Sequence, residues 1–232
     1  MKKILDVVLS VILLAGVFYV SFFQLKQEAT QEVLGVASTE DEVVIAIDPG
    51  HGGFDPGKVA VETILEKDIN LSIATKLAEE LKDAGYRVIL TRTEDVSLSK
   101  EGDVNRKATD MKNRCEIIEN AGADVVISIH QNSFSDSSVK GGQVFYYKHS
   151  DRGRKLAEDI QKSFREIVDS SNTREAKSND NYYMLLNTAS PTVIVECGFL
   201  SNPDEREMLM NSEYQDKICE AINQGLSAYF NN

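Results

Sequence analysis

Two of the chain's three histidines come at or shortly after the ends of runs rich in β-branched residues. His51 comes four residues after the run 43–47, and His130 ends the run 124–129. If both runs are parallel strands, the two imidazoles lie at the carboxyl edge of one sheet, where open α/β folds bind ligands. Imidazole is a common zinc ligand, so both histidines are candidate metal ligands. His149 stands beside charged residues, and we expect it on the solvated surface.

Two glutamates occupy related positions. Glu66 lies after the first run at the start of a helical pattern, and Glu196 ends a third apolar run, residues 192–195. Two imidazoles and one carboxylate leave a fourth position of zinc open for water, and a second carboxylate can move that water's proton. Taken singly, each residue has an ordinary alternative role. A strand-end histidine can be structural, and Glu66 can be a first-turn acid favoured by the helix dipole. Glu196 is costly to bury unless it is paired or bound to metal.

The hydrophobic pattern alternates between strands and helices along the chain. This order predicts a single α/β domain with a mostly parallel sheet and helices on both faces. We expect residues 141–147 to form a strand at the sheet edge, and residues 93–104 and 170–182 to form loops. The predicted strands are 43–47, 87–91, 124–129, 141–147 and 192–196, and the predicted helices are 67–84, 105–120, 156–167, 205–210 and 214–230.

For two further segments the sequence allows two structural interpretations each. The run 182–186, Tyr-Tyr-Met-Leu-Leu, favours core packing, with a wall of a substrate site as the alternative. Residues 170–181 are typical of an ordinary polar loop, with a mobile lid as the alternative.

Composition and cysteine content exclude several functions. The chain has 232 residues, with 25 Lys and Arg against 37 Asp and Glu, a net charge of −12. This acidic balance argues against a nucleic-acid partner. Cys115, Cys197 and Cys219 are too few and scattered for a disulfide framework, and we expect them to be buried filler. A thiol hydrolase based on Cys197 is disfavoured because its side chain would face away from Glu196. No G-x-S-x-G motif supports a serine hydrolase.

The amino-terminal segment, residues 1–25, predicts a membrane anchor. Lys2 and Lys3 precede about 20 apolar residues interrupted only by Asp6, long enough to cross a hydrocarbon core. A cleaved signal peptide is the alternative, but its best small-residue site, residues 35–37, lies far beyond the apolar run.

The remaining chain divides into a polar tether, residues 26–42, and a catalytic domain, residues 43–232. The basic start predicts that the domain lies outside the cytoplasm, anchored to the membrane by the amino-terminal helix. If the segment is cleaved, the domain is secreted.

Four separated motifs resemble one enzyme family. Together they are similar to the zinc-dependent N-acetylmuramoyl-L-alanine amidases of the Amidase_3 family, in order and across residues 43–230. The motifs are DPGHGGFDPG (48–57), EKDINLSIATKLAEEL (66–81), SIHQN (128–132) and VECGFLSNPDE (195–205).

The resemblance implies a fold, a reaction and a role for each candidate residue. It implies a six-stranded sheet and hydrolysis of the amide between N-acetylmuramic acid and L-alanine of the peptidoglycan stem peptide. It implies that His51, Glu66 and His130 bind one zinc ion and that Glu196 is the catalytic acid and base. These roles agree with the strand-end pattern.

Within the family, a catalytic domain behind one anchor and without wall-binding repeats resembles the sporulation amidases of endospore-forming bacteria. That likeness implies action in the spore cortex, before muramic-δ-lactam forms. Two alternatives remain at this point: another extracytoplasmic zinc hydrolase, such as a peptidase or deacetylase, and a non-catalytic wall-binding module. The sequence does not decide whether a protein activator takes part.

Overall fold

The structure is a computed structural model that describes residues 42–61 and 63–231. The residues from Val43 onward form one compact unit. The predicted anchor, residues 1–25, and all of the tether except Glu42 lie outside the described residues. Within the described part of the chain, no helix is long and apolar enough to cross a membrane.

Strands and helices alternate through most of the described chain. A π-helical turn, Phe164–Val168, continues the third helix. In chain order the elements are β1 Val44–Pro49, β2 Val59–Val61, β3 Ile64–Leu65, α1 Glu66–Asp83, β4 Arg87–Leu90, α2 Arg106–Ala121, β5 Val125–Asn132, β6 Gln143–Tyr147, α3 Asp151–Ser163, β7 Lys177–Asn179, α4 Tyr183–Asn187, β8 Thr192–Phe199, α5 Pro203–Met210 and α6 Ser212–Phe230.

Six of the strands form one sheet in the order β4-β1-β5-β8-β6-β7. The first four are parallel to one another, β6 runs antiparallel to β8, and β7 runs parallel to β6. The prediction of a mostly parallel sheet is therefore confirmed, and its strand number matches the resemblance. β2 and β3 pair separately as a short hairpin that the sequence pattern did not predict.

The strand predicted over residues 141–147 is confirmed as β6, but its predicted position at the sheet edge is wrong. β6 is flanked on both sides, because β7 pairs with it through Phe145, Tyr146 and Tyr147. β7 falls inside the segment 170–182, predicted to be a loop. Its three residues, Lys-Ser-Asn, have no apolar alternation, so nothing local to the sequence marks them as a strand.

Helices cover both faces of the sheet, as predicted. Along β1, Ile45 and Ile47 pack into the core beneath α1, α3 and α6, whereas Val44 and Ala46 pack against α2 and α4. Successive strand residues point to opposite faces, so two buried faces require a continuous apolar run. Full burial of one isoleucine side chain contributes about 1.5–3 kcal/mol.

Local signals fix the helix that carries Glu66. α1 begins at Glu66 itself, where the backbone N–H donates to Lys58 O at 3.0 Å. The helix ends as predicted before Gly85, whose φ of 93° is in the left-handed region. These boundaries place the Glu66 carboxylate at the carboxyl edge of β1 and β5.

Candidate metal centre and active site

The loop after β1 carries His51 in an unusual backbone conformation. The φ of His51 is 62°, the only positive value among the described residues other than glycine. Such a conformation persists where surrounding contacts determine it. The Arg114 guanidinium, which is buried, donates to Pro49 O at 2.8 Å and His51 O at 2.5 Å, and Arg92 donates to Gly50 O at 3.0 Å. Two arginines thus hold three successive carbonyls of this loop.

The buried carboxylate of Asp48 holds Arg114, one of the two arginines that support the loop. Asp48, at the end of β1, accepts hydrogen bonds from Arg114 at 2.7 Å, Thr91 at 2.6 Å and Ser128 at 2.8 Å. Burial acts to raise the pKa of Asp48, but Arg114 and the two hydroxyl donors outweigh it and hold the pKa below its ordinary value. Asp48 therefore stays ionised and ties β1 to β4, β5 and α2 beneath the site.

The three predicted ligands converge. His51 Nε2 lies 3.2 Å from Glu66 Oε1, and His130 Nδ1 lies 3.0 Å from the same oxygen. The nearest donor atoms of the three residues all lie within 4.8 Å of one another. The two imidazole rings meet edge to face with centroids 4.9 Å apart. His51 follows β1, His130 lies near the end of β5, and Glu66 begins α1, as the strand-end pattern predicted.

The contacts around Glu66 suit a residue that binds a metal ion. Its Oε2 accepts the Lys58 N–H at 2.8 Å and its Oε1 accepts the Gln131 N–H at 3.1 Å, which fixes the carboxylate. A Cβ at position 57 would stand 2.6 Å from Glu66 Oε2 and 2.7 Å from the His51 ring. Only glycine at this position leaves room for both side chains. Burial acts to raise the pKa of Glu66, but hydrogen bonds from His130 and His51 outweigh it and hold the pKa well below its ordinary value. Two nitrogens and an anionic oxygen are a donor set that zinc accepts.

Glu196 lies beside this group in a different environment. It pairs in register with His130 across β5 and β8, and it is 7% exposed. Its Oε2 is buried and has no hydrogen-bond partner among the described residues. Burial raises the pKa of Glu196 to about 7, with Glu66 adding to the rise and His130 and His51 opposing it. A buried carboxylate without a partner is costly, which indicates a functional role.

A cavity of about 370 Å³ opens onto His51, Glu66, His130 and Glu196. Its walls include Phe54 from the loop after β1, Lys107 and Met111 from α2, and Tyr182, Tyr183 and Met184 from the segment 182–186. The predicted core packing of that segment is confirmed for Met184 and Leu185, which are buried. Tyr182, Tyr183 and Met184 line the cavity, and their role as a wall of a substrate site stays a prediction.

The remaining histidine and the cysteines lie where they were expected. His149 is exposed. All three cysteines are free and buried, and Cys197 packs in the core beneath α1, α3 and α6, whereas Glu196 lines the cavity. Burial raises the pKa of Cys197 well above its ordinary value, which removes it as a thiolate nucleophile.

Sequence reasoning gave no individual role to Asp55, Arg92, Asn70 or Gln131. Asp55 contacts His51, and Arg92 holds the loop carbonyls. Asn70 donates to Gly50 O at 3.1 Å and accepts from Gln131 at 3.2 Å, which links the back of the site to α1. Asp55, Asn70 and Gln131 fall inside the quoted motifs and Arg92 lies outside them, but only the fold shows which atoms the four residues contact.

A two-histidine, one-glutamate group able to hold a metal, with a buried carboxylate beside it at the carboxyl edge of the sheet, is typical of metal-dependent hydrolases built on an α/β fold. The chain belongs to the Amidase_3 family, N-acetylmuramoyl-L-alanine amidase, whose model matches residues 45–228. The sequence prediction of an N-acetylmuramoyl-L-alanine amidase is confirmed.

Individual relatives agree with the family. The chain is 38% identical over 190 residues to the germination-specific N-acetylmuramoyl-L-alanine amidase of Bacillus subtilis (strain 168), covering 81% of this chain and 79% of the relative. It is similar to the structure of the CwlD amidase from Clostridioides difficile in complex with the GerS lipoprotein, with 41% identity, a TM-score of 0.79 and coverage of 82% and 99%. An N-acetylmuramoyl-L-alanine amidase from Clostridium difficile 630 gives 32% identity, a TM-score of 0.73 and coverage of 83% and 98%.

Proposed function

We propose that the chain hydrolyses the amide between the lactyl group of N-acetylmuramic acid and L-alanine in peptidoglycan, using one zinc ion held by His51, Glu66 and His130. The observation that carries this proposal is the convergence of these three side chains beside Glu196, in a chain of the Amidase_3 family. Zinc in a three-ligand site acts as a Lewis acid and makes water nucleophilic at neutral pH.

We assign the proton transfers to Glu196. A carboxylate that binds a metal ion is a poor proton carrier, whereas the Glu196 carboxylate has an oxygen without a partner and borders the same cavity. Burial raises the pKa of Glu196 in the metal-free chain, so this carboxylate holds a proton more readily than an exposed one does, as the return of a proton to the leaving nitrogen requires. Glu196 accepts a proton from the attacking water and returns it to the nitrogen of L-alanine as the amide bond breaks.

We propose that the enzyme acts outside the cytoplasm on the spore cortex, removing stem peptides before muramic-δ-lactam forms. The support is the likeness to a germination-specific amidase and to the CwlD amidase. That second structure is a complex with a lipoprotein, which supports a lipoprotein partner for this chain as well. Anchoring through residues 1–25 stays a prediction.

The test is product analysis on purified peptidoglycan. An amidase frees a new amino-terminal L-alanine and leaves unmodified N-acetylmuramic acid, which mass spectrometry distinguishes from the products of a peptidase or a deacetylase. Chelation should abolish release and added zinc should restore it. Peptide release that is unaffected by chelation would contradict the zinc proposal, and release of a deacetylated sugar would contradict the amidase reaction.

A further inference from the structure

Asp55 contacts the outer side of the His51 ring. Its Oδ2 lies 3.0 Å from His51 Nδ1, and its Oδ1 accepts the Gly57 N–H at 3.1 Å. Backbone hydrogen bonds between Gly52 and Asp55, 2.9 and 3.1 Å long, close the turn that brings the carboxylate back to the ring. The carboxylate is held on both oxygens, so its position relative to His51 is fixed.

Each ring nitrogen of His51 faces a carboxylate, Asp55 at Nδ1 and Glu66 at Nε2. A neutral imidazole has one N–H donor and one lone pair, and an ionised carboxylate can only accept. In the metal-free chain Nε2 can donate to Glu66 Oε1 at 3.2 Å, but a metal ion bound at Nε2 would need the lone pair there, which leaves the proton on Nδ1 for Asp55 to accept. That is the tautomer a metal ion between His51 and Glu66 requires.

His130 is oriented by different means. Its Nδ1 faces Glu66, and within the described residues no hydrogen bond reaches its Nε2. Instead the ring packs on Gly50, where an added Cβ would lie 2.3 Å from both Nε2 and Cε1. The His130 ring is thus held by Glu66 and by packing, whereas the His51 ring has a second carboxylate, Asp55, on the nitrogen that faces away from Glu66.

We propose that Asp55 is a positioning residue that fixes the tautomer and the ring orientation of His51 for metal binding. This inference rests on the proposed zinc site. Carboxylates behind metal-bound histidines orient the ring and fix its tautomer in metal sites generally. Lys107 Nζ lies 3.2 Å from Asp55 Oδ2 and balances the charge.

The ionised state of Asp55 is consistent with this role. Its two oxygens face a ring nitrogen of His51, the Gly57 N–H and the Lys107 ammonium group, and among the described residues it has no acceptor to which it would donate a proton. Asp55 is therefore an acceptor at neutral pH.

Asp95 provides a matched control in the same loop region. Like Asp55, it accepts a backbone N–H of the loop, from Gly53 at 2.7 Å, and an ion pair from a lysine, Lys67 at 2.6 Å. It contacts no histidine. If Asp55 only tethered the loop, loss of either carboxylate would have the same effect on the metal.

The first test measures zinc affinity by competition with a chromophoric chelator for the full chain, Asp55→Asn and Asp95→Asn. Asparagine cannot accept from both Gly57 and His51, so Asp55→Asn should weaken zinc binding by about 10–100-fold. Asp95→Asn should bind zinc as the wild type does. Equal affinity of Asp55→Asn and wild type, or an equal loss in both variants, would overturn the proposal.

The second test needs no loop variant. Long-range proton–nitrogen spectra of the zinc-loaded chain contain signals of only three histidines, and His149→Gln removes the exposed one. His51 should be protonated at Nδ1 and metal-bound at Nε2, and His130 should be metal-bound at Nδ1. A proton on Nε2 of His51 overturns the inference alone, whereas a wild-type chain that binds no zinc overturns the proposed metal site as well.

Discussion

Glu66 and Glu196 are both glutamates, but their side chains make different contacts. Glu66 is surrounded by donors from two histidines and two backbone N–H groups, so its pKa lies well below the ordinary range. Glu196 is buried beside this group with one oxygen that has no hydrogen-bond partner among the described residues, and its pKa rises to about 7. Neighbouring carboxylates whose pKa values are driven apart indicate a division between ligand and proton carrier.

This division predicts opposite phenotypes for two isosteric substitutions. Glu196→Gln keeps the shape of the side chain but removes its basicity, so kcat should fall by about 10²–10⁴-fold, while zinc content stays near wild type. Glu66→Gln should instead lose zinc. Metal analysis and single-turnover release of stem peptide measure both effects. Near-normal turnover by Glu196→Gln would remove this residue from the mechanism, and loss of zinc from it alone would reverse the two roles.

The raised pKa of Glu196 also predicts a pH-dependent cost in stability for the metal-free chain. Below pH 4.5 the carboxyl is protonated in both the folded and the unfolded state, so it contributes nothing. As the pH rises from 4.5 to about 7, the unfolded state ionises first, and the free energy of unfolding falls by about 1–3 kcal/mol. Above pH 7 the cost is constant.

Glu196→Gln should therefore be more stable than wild type at pH 8 in chelator, and equally stable at pH 4. Urea unfolding at both pH values measures the difference, and Glu207→Gln, at an exposed position, is the control. A variant that is less stable than wild type at pH 8 would contradict the interpretation that burial of this carboxylate costs free energy.

At the scale of elements, the contact between α3 and α6 depends on one glycine. A Cβ at Gly225 would lie 2.6 Å from Ile160 Cα and 2.9 Å from Ile160 N, which are backbone atoms that cannot rotate away. Gly225→Ala should lower the free energy of unfolding by about 1–3 kcal/mol, as overpacking does. Gly225 does not line the cavity, so turnover per folded molecule should stay near wild type.

Gln224→Ala is the control for this prediction, because Gln224 is the exposed neighbour on the same helix. Thermal and urea unfolding of both variants, with the amidase assay on the folded fraction, separate packing from chemistry. If Gly225→Ala were as stable as Gln224→Ala, the two helices would have room to move apart.

At the scale of the whole molecule, the predicted anchor should determine where the enzyme fractionates. The full chain should fractionate with membranes, and the chain lacking residues 1–25 should be soluble and active, because residues from Val43 form a compact unit. Full-length Glu196→Gln should fractionate as wild type, since its change lies in the catalytic cavity. A mature protein that begins near Ser38 in its host would show that the segment is a cleaved signal peptide.

Much of this protein was predictable because its sequence signals are local. Continuous apolar runs predicted β1, β5 and β8, and residues at the ends of such strands lie at one sheet edge, which led to His51, His130 and Glu196. The family motifs added Glu66 as the third ligand and the strand number. The antiparallel β6, the short β7 and the β2–β3 hairpin were missed or misplaced, because their residues pair through neighbours that only the assembled sheet provides.

The sequence by itself determined the fold class, the reaction and the four residues proposed to carry it. Only the tertiary structure decided that Asp55 holds His51, that Asp48 and Arg114 support the loop, and that one oxygen of Glu196 has no partner. Hydrogen-bond geometry and desolvation depend on distances of a few ångströms between atoms far apart in the chain. Those distances, and the pKa values that follow from them, exist only once the sheet and helices pack together.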